Sequence, residues 1–335
     1  VGFRSVEEFN DAGTSSFTMV STSSADGLHW TAGRALDMEG LHGLEIDDIT
    51  AVVEGPAGLL AVGFPSGGRC GPETVDALWT SPDGLTWTQV ELPGTFSTVD
   101  AGSTGYIATG TLKDGVTSAV WLSGDGRSWH QVPLPKATSG AVVVDGATDF
   151  AGGYVLAGKQ RSDSSCVEGR STAPLYTPSL WWSADGKNWT RSKLPGALPA
   201  GDVSVGFVRI SDDALVAIAQ DWNVAKGLSG PRQYWVSNDG RTWRLIAAPS
   251  SVLRSNCCLT NGQRGLAVLS PDNYGVGLMI ATVGDDLTVT LLSKSGDGPE
   301  PSVSSIGWMW AFGPTGVVAL SDDGLNLWLG VPTAS

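Results

Sequence analysis

The chain has 335 residues, 41% of them hydrophobic and 16% charged, which supplies enough apolar surface for a sizeable core and too little charge for a disordered tail. With 34 acidic and 20 basic residues the net charge is −14, and no Lys/Arg run offers a local exception, so nucleic acid and anionic membrane surfaces are poor partners. No run approaches the ~18 apolar residues of a membrane span, while 45 Gly and 18 Pro imply many turns.

Taken in order, the predicted elements are short strands around one recurring corner. The first strand pair runs from Phe17 to Gly33 and encloses Ser24-Ala25-Asp26-Gly27-Leu28-His29-Trp30. An apolar pair follows from Ile49 to Gly63, then a second corner with Ser81, Asp83, Gly84 and Trp87. The alternation continues through Val99 to Gly110, the corner Ser123, Asp125, Gly126 and Trp129, the pair from Phe150, and the corner Ser183, Asp185, Gly186 and Trp189. Val205 to Ala219 and the corner Ser237, Asp239, Gly240 and Trp243 come next, then an eroded copy at Gly284 to Val289 and a last apolar pair at Ile306–Phe312 and Gly316–Leu320. The five intact corners read S-x-D-G-x-x-W, with tryptophans 57, 42, 60 and 54 residues apart, a jittered period near 50.

Asp-Gly between two strand-like runs is a hairpin turn. Pro82 requires φ near −65°, which excludes a type I′ turn and favours a type I turn followed by Gly84 in the left-handed region. The serine hydroxyl and the aspartate can bond nearby backbone N–H groups, and the tryptophan can cover the hairpin, so these residues receive a structural duty. An apolar A–B pair plus a corner-bearing C–D pair makes a four-stranded antiparallel unit, and such units repeated at this spacing predict an all-β propeller with little helix. Six A–B pairs and six C–D pairs predict six blades, the ring closing through N-terminal C–D strands and C-terminal A–B strands. Asn326 to Gly330 resembles one surplus C strand, which leaves seven blades as the alternative.

The corner resembles the box of the Asp-box (bacterial neuraminidase repeat) propellers, whose motif reads S-x-D-x-G-x-T-W; here glycine directly follows aspartate and the hairpin is one residue shorter. The resemblance covers nearly the whole chain. It implies a sialidase-like propeller with boxes on the C–D turns, away from the central site, in a group that holds sialidases, other glycoside hydrolases and many non-catalytic binding proteins.

Cys70, Cys166, Cys257 and Cys258 are even in number, without a CxxC pair, and read as disulfide candidates in one of three connectivities. Export to an oxidising space is expected, the chain being extracellular or at the cell envelope. It starts at Val1 without a signal pattern, as a mature fragment or a chain that never had one. The irregular B–C segments, Pro65 to Asp76, Thr111 to Ser118, Gln160 to Pro178 and Asp221 to Gln233, fall on one face, and Cys257 and Cys258 sit on a D–A connection to that face. Long loops on a rigid scaffold are commonly functional. Ligand-binding candidates are therefore Arg69, Arg161, Arg170, Tyr176, Trp222 and Arg232, with Tyr176 and Trp222 as the first anchors.

A sialidase-like site needs an arginine triad and an activated tyrosine, and such chains carry an Arg-Ile-Pro segment before the first box, where Gly2-Phe3-Arg4-Ser5 stands here. Glu45, Asp47, Asp48, Glu73, Asp163, Glu168 and Asp202 could supply a carboxylate pair, but any acidic surface offers such a set. His29 and His130 belong to C–D hairpins, leaving His42 alone near the loop face, and Asp47-Asp48, Asp212-Asp213, Asp285-Asp286 and Asp322-Asp323 lack the spacing of a calcium loop. No metal or cofactor is expected. The function expected is a non-catalytic binding module for a protein or cell-envelope glycan; the alternative is a glycoside hydrolase or lyase with carboxylates on the same face.

Overall fold

The computed structural model describes residues 2–9, 15–23, 29, 31–35, 46–65, 77–137, 140–161, 175–196, 201–211, 214–223, 228–246, 266–269, 279–283, 289–292, 306–313, 316–321 and 327–330. Among these residues there is no helix, and every sheet is antiparallel with its strands in sequential order.

Strands β1 (Gly2–Phe9), β2 (Ser15–Ser23) and β3 (Thr31–Ala35) form the first sheet. The second is four-stranded, with β4 (Ile46–Gly55), β5 (Gly58–Pro65), β6 (Ala77–Ser81) and β7 (Thr88–Val90). The third holds β8 (Gly94–Ala101), β9 (Tyr106–Leu112), β10 (Ser118–Ser123) and β11 (His130–Val132). The fourth holds β12 (Val142–Phe150), β13 (Gly153–Arg161), β14 (Tyr176–Ser183) and β15 (Thr190–Arg191). The fifth has β16 (Val203–Ser211), β17 (Ala214–Asn223), β18 (Leu228–Ser237) and β19 (Arg244–Ile246). Two three-stranded sheets complete the set: β20 (Leu266–Leu269), β21 (Met279–Val283) and β22 (Val289–Leu292), then β23 (Ile306–Gly313), β24 (Gly316–Ser321) and β25 (Leu327–Gly330).

The described strands thus fall into seven sheets rather than six, and the terminal strands stand in separate sheets instead of sharing one. Two features produce the difference. The N-terminal segment, broken by Arg4, Glu7 and Glu8, has no clear alternation, yet it pairs along its whole length with β2, from Gly2 opposite Thr22 to Phe9 opposite Ser15. At the other end the surplus strand β25 pairs with β24 and sets Trp328 opposite Ala319. The same pairing, tryptophan of the third strand against alanine of the second, recurs as Trp79 with Ala61, Trp121 with Ala108 and Trp235 with Ala217. A methyl opposite an indole leaves room for the ring to lie over the neighbouring strand, and Trp79, Trp121, Trp181 and Trp235 are all fully buried.

The chain divides into two compact units, residues 1–136, 142–156 and 183–189, and residues 137–141, 157–182 and 190–335. In the first, β4 packs on β8, and β8 and β9 pack on β12. The core between the second and third sheets gathers Leu60, Leu78, Phe96, Tyr106 and Trp121, with Phe96 tilted on Trp121 at 4.8 Å and edge-on to Trp129 at 4.9 Å. Tyr106 ties the sheets together by donating from its hydroxyl to Gly58 O at 2.8 Å, and the same oxygen accepts from Ala57 N at 3.3 Å.

Four of the five corners lie within the described residues; of the first, Ser24 to Trp30, only His29 does. Each joins the third strand to the fourth. Gly84, Gly126, Gly186 and Gly240 have φ between 69° and 73°, the left-handed conformation the turn requires. The serine hydroxyl donates to the aspartate Oδ1 at 2.9–3.1 Å, and Ser81, Ser123 and Ser237 Oγ accept from the corner glycine N–H at 2.8–2.9 Å. Oδ1 of each aspartate then accepts the two N–H groups that follow the glycine, at 2.7–2.8 Å. Trp87 and Trp129 close the loop by donating to Gly84 O and Gly126 O, whereas Trp189 donates to Pro133 O at 2.8 Å.

Candidate ligand-binding face

In a four-stranded meander the first and last hairpin turns lie at one end of the sheet, and the middle connection lies at the other together with the link to the next sheet. In the second and third sheets the boxes share the first end with the β4–β5 and β8–β9 turns. The connections 66–76, 162–174 and 224–227 lie outside the described residues, and the described connection 113–117 is at the second end of the third sheet. There Asp114 accepts from Val116 N and Thr117 N at 2.9 Å and from Thr117 Oγ1, and the Thr117 donors hold its carboxyl below the ordinary 3.8. Its bonds close the turn on itself, which leaves Val116, 81% exposed, at the tip.

The expected site residues divide into three groups. Arg69, Arg170, Cys70, Cys166, Cys257 and Cys258 lie outside the described residues, as do Glu45, Glu73, Asp163 and Glu168. Trp222 and Arg232, expected in a loop from Asp221 to Gln233, are strand residues: β17 runs on through Asn223 and β18 begins at Leu228, with Gln220 opposite Arg232 and Trp222 opposite Ser229 across a bulge. Only 224–227 separate the two strands, so this segment is a ten-residue hairpin arm rather than an irregular loop. Tyr176, also expected in a loop, is the first residue of β14, and Arg161 is the last of β13.

Arg161 and Tyr176 end adjacent strands of the fourth sheet, where Thr177 Oγ1 donates to Gln160 O at 3.4 Å. Tyr176 is held by a bridge: its N–H donates to Gly201 O at 2.8 Å and its carbonyl accepts from Gly201 N at 2.9 Å. Lys159 Nζ lies 5.1 Å from the centre of the Tyr176 ring, within cation–π range. Arg161 N donates to Ala141 O at 2.9 Å, which pins the strand end while the residue stays exposed. Lys159 was not among the expected residues. Its signal was the i, i+2 spacing to Arg161, which puts both on one side of a strand. Two cations and an aromatic ring on a fixed strand end can bind an anionic or polyhydroxylated partner by stacking and hydrogen bonding. Asp202, beside Gly201, is an exposed carboxylate at the same strand end. Among the described residues no group of His, Cys, Asp and Glu is placed to hold a metal ion.

No protein-family model matches the chain, and no curated protein is found as a relative. Among solved structures, the β-propeller domain of the Trilobed protease from Pyrococcus furiosus, described as having an open velcro topology, aligns with a TM-score of 0.54 at 9% identity, over 98% of this chain and 89% of that one. An α-L-arabinanase of Penicillium chrysogenum in complex with arabinobiose gives 0.43 at 12% identity over 84% and 91%. An α-L-arabinofuranosidase of Fusarium graminearum gives 0.45 at 13% over 83% and 90%. The first likeness is one of fold, and it agrees with sheets of the kind that form propeller blades.

Proposed function

We propose that the chain is an exported, non-catalytic β-propeller binding module, each sheet one blade, whose second-to-third-strand connections present a face to a cell-envelope glycan or protein partner. The carrying observation is Tyr176, an aromatic ring at a strand end whose backbone is bonded on both polar groups to Gly201 and whose ring lies beneath Lys159. A ring fixed in this way loses little entropy when a partner stacks on it, which is how aromatic anchors come to dominate binding energies. The resemblance of the boxes to those of Asp-box propellers supports the reading, since there the recognition surface lies away from the boxes. The cysteines belong to the same proposal as disulfides that tie the connections in an oxidising compartment.

Sedimentation of the purified chain with isolated cell-envelope polysaccharide tests it. Tyr176→Ala is expected to weaken binding by about tenfold or more, the size of a hot-spot truncation, with an unchanged melting temperature. Binding that is indifferent to Tyr176→Ala and to Arg161→Ala overturns the assignment of this face.

A further inference from the structure

At the box end, consecutive sheets meet along a seam whose filling depends on the residue just before the box serine of the earlier sheet. Where this residue is Leu122, a methyl added to the next box glycine, Gly186, would stand 2.6 Å from Leu122 Cδ1. Where it is Trp182, the guanidinium of Arg241, the residue after the next box glycine, lies 3.6 Å from the indole centre. Between the second and third sheets it is Thr80. This short side chain accepts one bond, from Arg127 Nε at 3.3 Å, and leaves a depression of about 290 Å³ lined by Ala57, Thr80, Ser81, Pro82, Asp125 and Arg127.

The chemistry of the lining is mixed in a defined way. Arg127 is exposed, and with Nε committed to Thr80 its guanidinium still carries the four N–H donors of the Nη fork. Asp125 Oδ1 already accepts from Ser123 Oγ, Arg127 N and Ser128 N, but Oδ2 accepts only from Ser128 Oγ among these partners and keeps lone pairs to offer. Ala57 and Pro82, both exposed, add an apolar patch. One cation beside one anion disfavours a ligand with net charge of either sign, because each sign meets a like charge. A ligand with adjacent acceptors and donors and one C–H face meets all three features.

We infer that this depression binds a neutral saccharide residue through a pair of adjacent hydroxyls, the Arg127 fork donating to their oxygens, Asp125 Oδ2 accepting a hydroxyl hydrogen, and Pro82 meeting the C–H face of the ring. The volume falls at the lower limit of ligand pockets, roughly 300 Å³, so it takes one sugar residue and the affinity is modest. The site belongs to the second and third sheets and Tyr176 to the fourth, so it does not depend on the function proposed for Tyr176.

The test follows the amides of Ala57 and Ser81 and the side-chain Nε–H of Arg127 by nuclear magnetic resonance during titration with methyl α-D-mannopyranoside and methyl β-D-galactopyranoside. Saturable shifts confined to these signals are expected with at least one glycoside, at a millimolar dissociation constant. Thr80→Trp recreates the Trp182–Arg241 arrangement on Arg127, so it should keep the fold, fill the depression and abolish the shifts. Arg127→Gln, at an exposed position, should weaken binding at least tenfold with the melting temperature nearly unchanged, and decides the matter should Thr80→Trp fail to fold. Absence of shifts with both glycosides, or shifts that survive either substitution, overturns the inference.

Discussion

Each box aspartate spends one carboxylate on a corner that would otherwise leave several N–H groups to water. Asp125 is held far below the ordinary 3.8 chiefly by the N–H groups of Ser128 and Arg127, and Asp185 likewise by those of Asn188 and Lys187. The glycine beside the aspartate does two separable things, and a comparison of two glycines tells them apart. Gly126 and Gly115 both have φ of 70°, so alanine at either site meets the left-handed penalty of roughly 1–2 kcal/mol. A methyl at Gly115 would have nothing within 4 Å, whereas at Gly126 it would stand 2.8 Å from Leu60 Cδ2 on the preceding sheet. Urea denaturation should therefore show Gly115→Ala destabilised by the conformational cost alone and Gly126→Ala by about 1–3 kcal/mol more, the cost of overpacking. Equal losses would mean that the box corner does not bear on the neighbouring sheet.

One scale up, the repeated unit is the second-to-third-strand pair with its Trp–Ala contact, followed by the box. Trp121 is 1% exposed, pairs with Ala108 and packs against Phe96 in the core, so its removal leaves a cavity that its fixed neighbours fill only in part. Trp121→Ala is expected to cost about 3–5 kcal/mol, seen as a lower urea midpoint with an unchanged slope. The boxes were legible in the sequence because the serine and aspartate bonds that shape their turns are made within six residues, so the turn type followed from Pro82 and the glycine alone. The hairpin arm of β17 and β18 was not: Asp221, Asn223, Lys226, Gly230 and Pro231 read as loop composition, and the strands are held by a long-range register with a bulge between Gln220 and Trp222. Strand β1 escaped for the same reason, since its pairing to β2 overrides a segment with weak strand pattern. Trp79, Trp121, Trp181 and Trp235 each stand two residues before a box serine, and the likeness of Asn326 to Gly330 to those strands is what made Trp328 legible as a third strand even without a box after it.

For the molecule as a whole, hairpin parity assigns the second-to-third-strand connection to one end of each sheet, but the contacts around Tyr176 were not legible in the sequence. That Lys159 lies over Tyr176, and that Gly201 returns to grip Tyr176, are contacts between segments 17 and 25 residues apart, and no local motif encodes them. Charge, by contrast, acts globally and is read directly. A net charge of −14 at neutral pH means self-repulsion in the compact state, which relaxes as acid approaches the isoelectric point near 4.5. The box carboxylates oppose that trend only at lower pH: their folded values are depressed, so their contribution is complete above the unfolded value, close to 4, and is lost as pH falls through the folded values. Calorimetry is therefore expected to give a melting temperature that rises from about pH 8 to about pH 5 and falls below about pH 3.5. Added salt should raise it at pH 8, by screening the repulsion, and have little effect near pH 5. Asp185→Asn should lower the curve by a constant amount above about pH 5 and converge on the parent at the acid end, where the native carboxylate is protonated too. A gap that persists undiminished at the lowest pH would show that the ionised carboxylate is not what holds the corner.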